Sequence, residues 1–155
     1  MKFGRRVSKR QMMCVALAVG TLLGVGISGV EVRVAQAAQK VEIVIQAGEA
    51  KLVRGTMFTG IPTELSIRNE DSVTHGFNSS VFGGAGKVEM VGGTVAEGKG
   101  SNVYRVEPGR TMVLKFTLSP EGKGEGESRT HAFWCDMHRS VKGEMLLIEQ
   151  YWEPG

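Results

Sequence analysis

The sequence predicts an all-β sandwich or barrel that follows an apolar N-terminal segment. Three observations carry this. Past residue 40, apolar side chains recur at every second position in short runs, the period of a strand with one face on a core. Glycines and charged residues break those runs, and no long stretch there keeps a helical period. The length that remains after the first forty residues suits one small compact domain.

The N-terminal segment comes first. "MKFGRRVSKR" carries five basic residues and no acid, "MMCVALAVGTLLGVGISGV" is apolar, and "AQA" spaces Ala35 and Ala37 as a signal peptidase prefers. A charged start, an apolar middle and a small-residue exit read as a secretory signal over 1–37, leaving 38–155 as the exported domain. An uncleaved membrane anchor is the alternative, since the apolar stretch approaches the ~20 residues a span requires. Arg5 and Arg6 lack the apolar residues that usually follow a twin-arginine pair.

The strands follow in order. "KVEIVIQA" sets Val41, Ile43 and Ile45 against Glu42 and Gln46. "TELSIRN" sets Leu65 and Ile67 against polar neighbours. "GRTMVLKFTL" alternates Met112, Leu114, Phe116 and Leu118 with Thr and Lys. "HAFWC" and "GEMLLIEQYW" complete the set. The glycine-rich stretch 82–104 predicts a loop with a hairpin or flap around "KVEMV", and the polar stretch 119–130 a surface loop. The tail "YWEPG" either packs its aromatics or hangs free. There is no internal repeat and no second domain.

Charge and cysteine count narrow the function. Six of the nineteen basic residues and one of the sixteen acidic ones lie in 1–37, so residues 38–155 hold thirteen basic and fifteen acidic groups. The basic balance belongs to the leader, and no basic patch points to nucleic acid. Cys14 lies in the leader, which leaves Cys135 alone in the exported part, without an internal disulfide. A leftover cysteine there signals an intermolecular bridge, a reactive thiol or a metal ligand.

Cys135 has a histidine three residues on, His138, and a second, His75, lies far upstream. One thiolate and two imidazoles form the trigonal set that binds copper in electron-transfer sites, usually with a weak axial fourth ligand. His131 precedes Cys135 by four residues on the same strand face, about 13 Å away at strand rise, and is read as structural. Trp134 alternates to the opposite face. The scattered methionines are read as packing. Zinc, which accepts the same ligands, is the rival metal, ranked below copper because no acid, base or cleft can be read nearby.

The order of these motifs resembles the cupredoxin family over roughly 62–149, with an early strand at 40–46. "IRNEDSVTHGF" is similar to the family's Asn-x-Asp…His-x-Phe segment, "VEPGRTMVLKFTL" to its Pro-Gly-x-Thr strand, and "HAFWCDMH" to its aromatic-x-Cys-x-x-His loop. The resemblance implies a Greek-key β-sandwich holding one copper ion on His75, Cys135 and His138. "HGFNSSVFG" is closer to the copper domain of cytochrome oxidase subunit two and to nitrosocyanin than to plastocyanin. A binuclear oxidase site needs two cysteines, so a mononuclear centre is expected here. Nitrosocyanin has a glutamate where His75 stands. Plastocyanin-like proteins place an axial methionine two residues before the Gly of the last strand, and "VKGEM" puts Val141 there. Met145 serves as axial ligand only if the loop is looser, and Met57, Met90 and Met137 have no positional support. The expected work is one-electron transfer between redox protein partners in the periplasm or outside the cell, with the membrane engaged only through an uncleaved leader. A copper carrier or storage module and a nitrosocyanin-like copper redox enzyme remain alternatives, as does a metal-free interaction domain.

Overall fold

The computed structural model describes residues 36–98, 102–121 and 126–150. The expected leader, except residues 36 and 37, and the tail "YWEPG" lie outside the described residues. Among those described, no helix is long and apolar enough to cross a membrane, and all fall in one compact unit, 34–155.

Eleven strands are described: β1 (Gln39–Gln46), β2 (Glu49–Arg54), β3 (Thr56–Phe58), β4 (Pro62–Asn69), β5 (His75–Ser79), β6 (Glu89–Val91), β7 (Thr94–Glu97), β8 (Asn102–Val106), β9 (Thr111–Thr117), β10 (Ser128–Trp134) and β11 (Lys142–Ile148). One 3-10 turn, Ser80–Gly84, follows β5. The strands form two mixed sheets, ordered β2-β1-β4-β9-β6 and β3-β11-β10-β5-β8-β7. The chain passes between sheets repeatedly, at β4–β5, β8–β9 and β9–β10 among others, as in Greek-key sandwiches. The all-β sandwich expected from the alternation is the architecture found.

Alternation decides which faces meet. Leu65 and Ile67 of β4, Met112, Leu114 and Phe116 of β9, Phe77 of β5, Phe133 of β10 and Met145 and Leu147 of β11 share one buried core. Burying such side chains contributes about 1.5–3 kcal/mol each. Phe77 stacks on Phe133 with ring centroids 5.4 Å apart, and Phe82 meets Phe77, Tyr104 and Phe116 edge-on. Trp134 points outward, as its parity requires.

The 82–104 stretch differs from expectation. "KVEMV" forms no flap of its own: Glu89–Val91 adds to the edge of the first sheet by pairing with β9. The hairpin of this region is β7–β8 instead. The polar 119–130 segment gives up its last residues to β10, which starts at Ser128.

Two features of the fold place the site. The β1–β2 turn is two residues long, with positive φ at Ala47 (54°) and Gly48 (72°), the backbone of the tight turns that match strand twist. The fully buried Asn69 ends β4 and clamps the following loop: its side chain donates to Val73 O (2.8 Å) and Val106 O (3.0 Å), and accepts from Asp71 N (2.9 Å). That loop delivers His75.

Candidate metal centre

His75 opens β5 and is 1% exposed. Cys135 directly follows β10 and is 5% exposed. Its N–H donates to Val141 O (2.8 Å), and Val141 N–H donates to His138 O (3.1 Å). These two bonds close a tight loop that folds His138 back to the sulfur, so Cys135 Sγ and His138 Nδ1 are 3.6 Å apart. One ligand-type atom from each of His75, Cys135 and His138 lies within 4.8 Å of the others. The two imidazoles meet edge-on, with centroids 4.7 Å apart. The sequence's three candidate ligands are therefore brought together.

The hydrogen bonds show which atoms are committed. His75 Nε2 is 2.9 Å from Asp71 Oδ2. The carboxylate also accepts from Gly48 N–H at 3.0 Å, so the β1–β2 turn braces it. Burial works to raise the Asp71 pKa, but hydrogen bonds from Gly48, His75 and Ala47 outweigh it and hold the carboxyl below its ordinary range. With Nε2 engaged, Nδ1 is the ring atom left over, and it is buried with no hydrogen-bond partner. A buried polar atom left alone costs free energy unless something binds it. Gly76 N–H donates to Cys135 Sγ at 3.2 Å.

A thiolate beside two neutral imidazole nitrogens suits a soft or borderline metal, copper or zinc. The nearby acids are already engaged: Asp71 by His75, and Asp136 by Arg105. The Arg105 guanidinium holds the Asp136 carboxyl below its usual range, against a smaller opposing effect of burial.

The remaining sequence candidates fall into place by register. Val141 is buried and sits at the close of the loop, bonded to Cys135. Met145 pairs with His131, four residues further along β11 and about 13 Å of strand beyond Val141. It belongs to the core cluster. Met57 is likewise fully buried in the core. His131 stands apart from the cluster, 3.2 Å from Ser80 Oγ through Nδ1. Asp71, Gly76, Arg105 and Asp136 were not found from the sequence. A signal for Asp71 existed in its place within the quoted "NED". Arg105 gave none, because its partner lies 31 residues away.

No protein-family model matches the chain, and no curated protein matches it by sequence. Among solved structures it is similar to the McoA multicopper oxidase of the hyperthermophile Aquifex aeolicus, at 10% identity and TM-score 0.47, covering 77% of this chain and 30% of that one. Auracyanin A, a "blue" copper protein of Chloroflexus aurantiacus, is similar at 12% identity and TM-score 0.41, covering 74% of this chain and all of that one. A proline-to-glycine variant of oxidized amicyanin is similar at 15% identity and TM-score 0.38, covering 77% and 88%. This chain thus spans under a third of the length of the oxidase. The fold assignment rests on the chain's own strand pairing and buried faces.

Proposed function

We propose that this is an exported copper protein that transfers single electrons through one ion on His75, Cys135 and His138. The observations that carry the reading are that His75, Cys135 and His138 each offer a ligand-type atom within 4.8 Å of the others, and that His75 Nδ1 is buried without a partner. Copper bound there would alternate between its two common charge states.

The chain's own residues do the rest. Asp71 holds His75 by Nε2 and leaves Nδ1 free for the metal. The Gly76 N–H draws charge from the sulfur, and the apolar Val141 closing the loop would offer a bound ion no further donor, both of which would favour the reduced state. A donor set tied down by backbone hydrogen bonds needs little movement when its charge changes. Half-buried His138, with Met137 and Val73 exposed on the ligand-bearing loops, is where we place contact with redox protein partners. Export to the periplasm or beyond is inferred from the 1–37 leader. Copper is preferred to zinc because one thiolate and two imidazoles form the trigonal set of copper electron-transfer sites, whereas closed zinc sites take four protein ligands.

Voltammetry of the copper-loaded protein, with and without azide, tests this. The proposal expects one reversible one-electron wave, unmoved by azide. An azide-sensitive spectrum would point to an open catalytic site, and tight Cu(I) with no stable Cu(II) form to a carrier.

A further inference from the structure

Arg105 lies opposite Gly76 in the β5–β8 ladder. Its guanidinium reaches past that position to make a two-point ion pair with Asp136, Nη1 to Oδ1 and Nη2 to Oδ2, the latter at 2.7 Å. Asp136 is the residue after Cys135, inside the ligand loop. The pair closes over the α-carbon of Gly76: a Cβ there would overlap both Arg105 Nη1 and Asp136 Oδ1. Gly76 has no positive φ, so what the site uses is its missing side chain rather than its backbone freedom. The same Gly76 donates its N–H to Cys135 Sγ. The pair lies at the surface, with the Arg105 side chain 19% and the Asp136 side chain 34% exposed. The Asp136 carboxylate raises the Arg105 pKa, against a smaller opposing effect of burial.

We propose that Arg105 and Asp136 form a clasp that fixes the Cys135–His138 loop against β5 before metal arrives, and that Gly76 is the positioning residue that lets it close. This rests on reading Cys135 and His138 as ligands. The fork geometry matters: guanidinium and carboxylate match at two points, whereas a lysine ammonium offers a single point of charge. Outer partners of this kind typically govern metal affinity by 10–100-fold.

The test compares Arg105→Lys, which keeps the charge and loses the fork, with Asp136→Asn and Gly76→Ala. Lys115→Gln, which breaks the Lys115–Glu64 pair on the other sheet, is the control. Two quantities are read: hydrogen exchange of the Cys135 amide in metal-free protein, and the rate at which a chelator strips Co(II). The clasp predicts roughly tenfold faster exchange and ~10–100-fold faster Co(II) loss in all three site variants, with the control unchanged. Wild-type behaviour of Arg105→Lys in both measurements would overturn it, since charge alone would then suffice. Failure of the wild type to hold Co(II) or Cu(II) would instead refute the ligand reading, while the exchange measurement would still decide whether the clasp exists.

Discussion

Replacing Asp71 by asparagine keeps the side-chain shape and removes its charge. The carboxylate accepts from His75 Nε2 at 2.9 Å and from Gly48 N–H at 3.0 Å, and its side chain is only 12% exposed. Charge-assisted hydrogen bonds of this kind contribute about 1.5–3 kcal/mol. The metal-free protein should therefore lose about 2 kcal/mol, moving a urea midpoint by roughly 1 M at a slope of ~2 kcal/mol/M. Metal binding should fall further, because the His75 ring loses the partner that fixes its orientation and tautomer. The expected loss is ~10–100-fold in affinity, equivalent to about 1.4–2.8 kcal/mol, read by chelator competition. Nitrogen NMR of the metal-free protein adds a direct check. Wild type should hold the proton on His75 Nε2, and Asp71→Asn should mix the tautomers. Affinity within twofold of wild type, with the Nε2–H tautomer retained, would refute the claim that Asp71 orients this ligand.

Three further outcomes are expected. Gly143→Ala should cost about 1–3 kcal/mol by denaturant titration, because the new Cβ would stand 2.5 Å from Cζ of the buried Phe133. Met145→Leu should leave the copper spectrum unchanged, whereas Val141→Met should supply an axial thioether and lower the midpoint potential in voltammetry. His131 has its pKa pushed down, mostly by burial, then by Arg129, with Glu121 opposing. The unfolded chain therefore binds this proton first, and stability is lost as pH falls below the unfolded histidine value of ~6.5. Between pH 7.5 and 5.5 wild type should lose more stability than His131→Gln, by a fraction of the ~1.4 kcal/mol per pH unit that one proton supplies.

The strands that the sequence revealed are those with one buried face. β4 and β9 bury alternate residues along their length, and a period of two is what a pattern reading detects. β2 was missed because "EAKLVR" is almost wholly exposed, so nothing in its composition marks the backbone pairing with β1. β5 buries four residues in a row, which erases the alternation that marks a strand in the sequence. The candidate ligands were legible because Cys135 and His138 are local neighbours whose chemistry is distinctive. Their supports were not. The Arg105–Asp136 pair and the bond from Gly48 to Asp71 join segments 31 and 23 residues apart, and only the sheet register brings them together. Where Val141 and Met145 lie is a matter of register too: the bonds closing the 135–141 loop set Val141 at its end, and Met145 pairs with His131.

The central claim is tested most directly by the visible and electron-paramagnetic-resonance spectra of the protein titrated with Cu(II), beside Cys135→Ser. The account predicts a strong thiolate-to-copper absorption with narrow copper hyperfine splitting at one ion per chain, abolished in Cys135→Ser. A weak absorption with wide splitting, an intense colour that survives the serine substitution, or no copper bound would contradict it.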